Sequence, residues 1–183
     1  MLIVGAVVLC LCASSLTPLM AAEKEDAMIA KAKVDLKNLQ TALDKFRADT
    51  GSWPNRVDGS NPATATAEVL FSEGNIVASP VNWPVDNSLV YKQIRGYFVD
   101  GDRNYRKWKG PYIAKDIADP WGNTYLIGMK NIEKSNLPVW IISAGPDGAL
   151  QTPIDSPVCM DGKSIDPATG LVAAGDDICL KFK

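Results

Sequence analysis

The clearest structural signal in this chain lies in residues 29–46, IAKAKVDLKNLQTALDKF. Apolar side chains recur there at alternating steps of three and four residues, so they form one continuous stripe along a helix. The stripe consists of Ile29, Ala32, Leu36, Leu39, Leu43 and Phe46. Charged side chains cover the opposite face, and Gly51 before Trp53-Pro54 marks the end of the helix. We therefore predict a long amphipathic helix whose second half packs on its own domain.

This helix is preceded by an apolar segment, residues 1–22, that contains no charged residue. At about 1.5 Å per residue, a helix of that length would reach roughly 30 Å, enough to cross a bilayer. Three interpretations are open: a cleaved secretory signal ending near Ala21-Ala22, an uncleaved membrane anchor, or the first half of a filament-forming helix. The absence of Lys or Arg before the segment is atypical of a secretory signal.

Composition restricts the function. The chain has 183 residues, 46% of them hydrophobic and 22% charged, which fits one globular domain with an appendage. Its net charge is −2 and it has no basic cluster, so we expect no nucleic acid partner. It contains no histidine, which is the commonest general base and metal ligand. Since the other residues form no catalytic constellation, we expect a structural or binding protein and not an enzyme.

The globular part consists of short elements separated by turn signals. We predict a short helix over residues 64–72 and strands over residues 124–129, 139–143 and 178–182. A long helix followed by a small antiparallel sheet is an α+β arrangement. The predicted organisation is an apolar segment (1–22), its amphipathic continuation (23–50) and one globular domain (51–183).

Two cysteines near the carboxyl end, Cys159 and Cys179, enclose a stretch rich in Gly, Asp and Pro. A cross-link would remove much of the conformational freedom of such a stretch. We expect a disulfide between them if the domain lies in an oxidising compartment. The other two, Cys10 and Cys12, lie in the apolar segment and are interpreted as small apolar residues.

Three motifs, taken in order, resemble the major pseudopilins of bacterial type II secretion systems. They are Leu43-Asp44-Lys45-Phe46 with Gly51-Ser52-Trp53-Pro54, then Asp119-Pro120-Trp121-Gly122-Asn123-Thr124-Tyr125, then Ser143-Ala144-Gly145-Pro146-Asp147-Gly148. Gly110-Pro111-Tyr112-Ile113 leads into the second motif, and Pro18 matches a proline in the membrane helix of that family. Each motif alone is weak, but together they span most of the chain in the family's order and spacing.

The resemblance implies a pilin-like fold, in which a long protruding helix packs its second half on a small antiparallel sheet. It also implies a subunit that polymerises through its N-terminal helices in the bacterial inner membrane, with its globular domain in the periplasm. Its partners would be further copies of itself, minor pseudopilins and the inner-membrane secretion platform, and its task would be the export of folded proteins. The alternatives are a type IV pilin or minor pseudopilin, and a periplasmic binding module released by signal peptidase.

The chain departs from this family at both ends. Family members carry a short basic leader, a Gly-Phe-Thr-Leu-type processing site and a glutamate near the start of the mature helix, none of which is present here. Alignment on Pro18 places Met1 near that glutamate, so we expect the natural chain to start upstream of Met1. At the other end, an insertion containing Cys159 separates Asp147 from Gly175-Asp176-Asp177-Ile178.

The resemblance also implies a structural calcium ion, which family members bind between the Ser-Ala-Gly-Pro-Asp-Gly turn and a following Asp-Asp pair. The matching residues are Ser143, Asp147, Asp176 and Asp177, with a backbone carbonyl near Ile141 or Ile142. Calcium takes about six to eight oxygen ligands and would tie two irregular segments together. The alternative interpretation is that these aspartates only cap turns beside glycines. Because of the resemblance, we favour the calcium site over the turn-capping interpretation.

Overall fold

The computed structural model describes residues 16–55, 66–78, 83, 91–101 and 105–183. Its elements are α1 (Leu16–Thr50), β1 (Val69–Phe71), β2 (Tyr91–Gln93), α2 (Arg95–Phe98), β3 (Leu126–Gly128), a 3-10 turn (Met129–Asn131), β4 (Trp140–Ser143) and β5 (Ile178–Lys181). One long helix packed on a small sheet is the α+β, pilin-like fold that the sequence predicted.

The amphipathic helix is confirmed. The buried face of α1 comprises Ala32, Leu36, Leu39, Ala42, Leu43 and Phe46, each at most 1% exposed. The helix ends at Thr50, and Gly51 takes a φ of 73°, a conformation that favours glycine. The Gly51 N–H donates to the carbonyl of Arg47 (2.9 Å), so one of the last helical carbonyls keeps a partner.

The sheet has five strands in the order β2-β1-β3-β4-β5. The pairs β3–β4 and β4–β5 are antiparallel, in agreement with the predicted antiparallel sheet. The pair β1–β3 is also antiparallel, and the pair β1–β2 is parallel. A parallel pair needs a connection long enough to return the chain to the same end of the sheet, and the segment between Phe71 and Tyr91 provides one. The sheet is therefore mixed.

The helix predicted over residues 64–72 is wrong where the structure describes that segment. Residues 69–71 form β1, whereas residues 64 and 65 lie outside the described residues. Val69 and Leu70 are fully buried on opposite faces of the sheet. Strand partners on both sides of β1 outweigh the weak intrinsic preference of so short a segment. The sequence reasoning also missed β2 and α2.

The hydrophobic core occupies both faces of the sheet. On one face Leu70, Ile127 and Ile141 pack with α1. Side chains alternate along a strand, so the neighbours of these residues point to the other face. There Ile142 packs with Leu150, and the chain that follows β4 supplies the covering layer. All four residues of β4 are consequently buried.

Aromatic contacts join the end of α1 to the chain around α2. The ring of Phe46 lies edge-on to Tyr97, Phe98, Tyr105 and Tyr112, with centroid distances of 6.2, 6.1, 4.7 and 5.7 Å. Edge-to-face pairs at such distances add to the free energy gained by burial alone. Phe46 is therefore the main anchor of the helix at this end.

A polar contact fixes the middle of α1 on the sheet. The Tyr125 hydroxyl donates to Asp35 Oδ2 (2.9 Å) inside the core, and the Lys31 ammonium pairs with the same oxygen (2.6 Å). Burial raises the pKa of Tyr125, so the phenol stays protonated and remains a donor. The buried carboxylate thus has its hydrogen-bond partners.

The N-terminal part of α1 extends beyond the globular domain. Residues 20–27 are all exposed, and the helix first packs on the core at Ile29. In the part of the chain that the structure describes, no helix combines the length and the apolar character needed to cross a bilayer. Most of the predicted apolar segment, residues 1–22, lies outside the described residues.

We expect Phe46→Ala to lower the free energy of unfolding of the full chain by about 3 to 5 kcal/mol, since the ring is completely buried. The matched control on the same helix is Val34→Ala, which should change stability by less than about 0.5 kcal/mol because Val34 is 59% exposed. Urea denaturation followed by near-ultraviolet circular dichroism measures both. Similar losses in the two variants would contradict this account of the core.

Candidate metal centre

The two segments of the predicted site meet because β4 and β5 pair. Ser143, the last residue of β4, lies opposite Ile178, the first residue of β5. The turn that follows β4 therefore begins beside the aspartate pair that precedes β5. The Asp147 N–H donates to Asp176 Oδ2 (3.2 Å), which joins the turn to the aspartate pair.

Gly145 permits this close approach. It has a φ of 68°, and a Cβ at this position would collide with the carbonyl oxygen of Asp176. Gly148, with a φ of 67°, closes the turn by donating its N–H to the Gly145 carbonyl (3.4 Å). Only a residue without a side chain fits against Asp176 here.

Asp177 is the most buried of the predicted ligands, at 1% exposed. Its Oδ2 accepts the backbone N–H groups of Gln151 (3.0 Å) and Thr152 (2.6 Å). Its own N–H donates to the carbonyl of Met160 (3.2 Å). Burial raises the pKa of Asp177 to about 6, although the hydrogen bonds from Thr152 and Gln151 act in the opposite direction. Asp177 thus connects β5 to two parts of the insertion.

The predicted disulfide between Cys159 and Cys179 is present, with Cα atoms 6.0 Å apart. Cys179 lies in β5, shortly after Asp177, and Cys159 is buried in the layer that covers the second face of the sheet. The bond therefore fixes the insertion to the strand that follows the aspartate pair.

The hydroxyl of Ser143 anchors the turn to a neighbouring loop. Its Oγ donates to Asp119 Oδ2 (2.7 Å) and accepts the N–H of Gly145 (3.1 Å). Asp119 Oδ1 accepts the N–H groups of Trp121 and Asn123, so residues 119–123 form a tight turn. Burial raises the pKa of Asp119, and the hydrogen bond from Ser143 opposes this effect. These two contacts use the proton of the Ser143 hydroxyl and one of its two lone pairs.

The predicted backbone ligand near Ile141 lies inside the sheet. Ile141 is paired with Ile127 of β3 on one side and with Leu180 of β5 on the other. Ile142 is held between the same two strands.

Gln151, which the sequence reasoning missed, lies within the cluster of aspartates. Its Nε2 donates to Asp147 Oδ2 (2.7 Å), and its backbone N–H donates to Asp177. The one sequence signal for it is a polar side chain at the start of the insertion, soon after Asp147. Such a signal does not distinguish a site residue from an exposed loop residue.

Three buried oxygen atoms in this cluster have no hydrogen-bond partner among the described residues: Gln151 Oε1, Asp176 Oδ1 and Asp177 Oδ1. Each such atom costs about 1 to 3 kcal/mol, and a charged one costs more. Burial raises the pKa of Asp176, and the charge of Asp147 raises it further. A cation bound among these atoms would remove the cost.

The donors fit calcium in kind, since all of them are oxygen atoms. The carboxylates alone do not suffice, because no three acidic or cysteine side chains of the described residues lie close enough together to hold a metal ion. Asp147, Asp176 and the unpaired oxygen of Asp177 would hold the ion only together with neutral oxygen ligands. Calcium coordination in proteins commonly includes such ligands.

A cavity of about 200 Å³ adjoins the aspartate pair. Glu25, Ile29 and Lys33 of α1 line one side of it, and Pro146, Asp176 and Asp177 are among the residues lining the remainder. The cluster therefore borders the place where α1 leaves the globular domain.

A long helix that extends beyond its own domain and packs its second half on a small sheet is a pilin-like fold. A family model described as "Type II secretion system (T2SS), protein G" matches residues 19–94 and 96–156. The chain belongs to this family, whose members are structural pseudopilins and not enzymes.

One relative is named type II secretion system core protein G, from Pectobacterium carotovorum subsp. carotovorum. It is 26% identical to this chain over 149 residues, which are 81% of this chain and 74% of the relative. No solved structure matches the chain significantly. Membership of the secretion system implies a location in the cell envelope.

We expect Gly145→Ala to destabilise the full chain by more than about 2 kcal/mol, because the added Cβ meets the Asp176 carbonyl in an already unfavourable backbone conformation. The control is Gly170→Ala, which has nearly the same φ, 69°, but nothing within 4 Å of the added Cβ. It should cost only about 1 kcal/mol. Thermal unfolding of both variants measures the difference. Equal costs would mean that the turn does not pack against Asp176.

Proposed function

We propose that this chain is a subunit of the type II secretion pseudopilus that polymerises in the inner membrane through its N-terminal helices. Growth of the polymer would drive folded proteins across the outer membrane. The globular domain would lie in the periplasm, and minor pseudopilins and the inner-membrane secretion platform would be its other partners. Membership of the protein G family supports this proposal.

The observation that carries the proposal is the free N-terminal part of α1. The helix has 35 described residues, yet residues 20–27 are exposed and Met20 is 66% exposed. Most helices gain their stability from packing one face on a partner. The domain packs on the stripe from Ile29 onward, whereas residues 20–27 remain exposed. The same part of neighbouring copies would supply the missing contacts.

We further propose that calcium binds at the cluster of Asp147, Asp176 and Asp177. Two facts support it: the unpaired buried oxygens of the aspartate pair, and the contact that joins Asp176 to the turn after β4. The ion would hold the insertion against that turn and so keep the carboxyl end in the form that assembles. It would supply positive charge and no reaction chemistry.

We expect Met20→Lys to leave the melting temperature of the isolated chain unchanged and to lower the fraction recovered as polymer from native membranes by about tenfold or more. The reason is that an unpaired ammonium buried between helices is costly. Ala168→Lys, on the exposed face of the insertion, adds the same charge as a control and should assemble normally. Chemical cross-linking followed by sedimentation measures the polymer.

Normal assembly of Met20→Lys would contradict packing through this part of α1. Intact mass of the protein from native membranes gives a second test. A mature chain beginning near Glu23 would contradict the filament proposal and favour a released periplasmic module.

Calcium should raise the melting temperature of the full chain relative to chelator. At calcium about a hundredfold above the dissociation constant, the gain is about 2.7 kcal/mol, or roughly 5 to 10 °C for a chain of this size. Asp147→Ala should abolish the shift. Asp166→Ala is the matched control, because both aspartates accept the N–H of the residue two positions later at 2.8 Å. A shift that survives in Asp147→Ala, or is absent from the wild type, would rule out this site.

A further inference from the structure

The aspartate cluster needs neutral oxygen ligands, because the three carboxylates do not converge on one point by themselves. The neutral ligands named from the sequence each have other partners already. The Ser143 hydroxyl is bound to Asp119 and Gly145, and Ile141 lies between two strands. A neutral oxygen atom that is buried beside the aspartates without any partner is a better candidate for an additional ligand.

Gln151 is the neutral side chain that contacts the cluster. Its backbone N–H donates to Asp177 Oδ2 (3.0 Å), and its Nε2 donates to Asp147 Oδ2 (2.7 Å). Its Oε1 is buried and has no partner among the described residues, like Asp176 Oδ1 and Asp177 Oδ1. Gln151 therefore spans the two aspartates that belong to different segments of the chain.

The amide of Gln151 is oriented so that its oxygen is the atom available to a cation. Its Nε2 is engaged as a donor to Asp147 Oδ2, whereas its Oε1 accepts no hydrogen bond from the described residues. The backbone hydrogen bond to Asp177 holds the residue beside the aspartates.

We propose that Oε1 of Gln151 is a calcium ligand in this chain, acting with Asp147, Asp176 and the free oxygen of Asp177. The inference rests on the calcium site proposed above. Gln151 stands at the start of the insertion that separates Asp147 from Asp176, and the family match ends at residue 156, within that insertion. Gln151 itself lies within the matched residues 96–156, between the turn that carries Asp147 and the remainder of the insertion.

Calcium chloride titrations of the full chain against a chromophoric chelator test this inference. Gln151→Leu should weaken calcium binding by about tenfold or more, because one oxygen ligand is lost. Gln151→Glu should bind at least as tightly as the wild type, because ligand charge raises calcium affinity. In chelator, Gln151→Glu should melt at a lower temperature than the wild type, since it adds a carboxylate to an acidic cluster. Gln40→Leu, which removes a half-buried glutamine of α1, is the control and should bind like the wild type.

Each outcome separates the ligand role from other roles. Wild-type affinity in Gln151→Leu would overturn the inference and leave the calcium site standing. Equal weakening in Gln151→Leu and Gln151→Glu would also overturn it, because Gln151 would then serve only as a donor to Asp147. If the wild type does not bind calcium, the proposed site and this inference both fail. If Gln151→Leu does not fold, the calcium affinity of Gln151→Glu is the test: binding at least as tight as that of the wild type supports the ligand role, and weaker binding overturns it.

Discussion

The pairing of Ser143 with Ile178 is the constraint on which the carboxyl-terminal half of this molecule depends. Side chains alternate along a strand, so a shift of one residue in this register would send every side chain of β5 to the opposite face. Ile178 would leave the core beneath α1, and the buried Asp177 carboxylate would lose the N–H groups of Gln151 and Thr152. One register therefore fixes both the packing of the helix and the meeting of the turn with the aspartates.

The register is itself held by burial on both faces of β4. Ile141 packs towards α1, and Ile142 packs towards Leu150 in the chain that follows the strand. Lengthening a surface connection costs little free energy, because the entropy of loop closure grows slowly with length. The insertion offsets that cost by covering apolar surface and by its disulfide to β5. It acts as a second layer of the core and not as an appended loop.

The sequence predicted those helices and strands whose hydrophobic pattern is long or is bounded by turn residues. The stripe from Ile29 to Phe46 runs over several helical turns, and β3, β4 and β5 have apolar runs bounded by turn residues. The prediction for residues 69–71 was wrong because three apolar residues fit a helix or a strand equally well. Only their partners in the sheet determine that they form a strand. Gln151 was missed for a related reason: its role depends on where the insertion folds back, which its local sequence does not show.

The position of the cluster connects the carboxyl end to the helix that leaves the domain. Asp176 and Asp177 share a cavity with Glu25, Ile29 and Lys33 of α1. Ile29 is the first residue of the stripe to pack on the core, so this cavity lies where the helix passes from packed to free. In a filament built on that free part, a small change in the direction of the helix would displace the whole domain relative to its neighbours. In such a filament, order in the aspartate cluster and the direction of the helix would be linked, because both would depend on the residues that line this cavity.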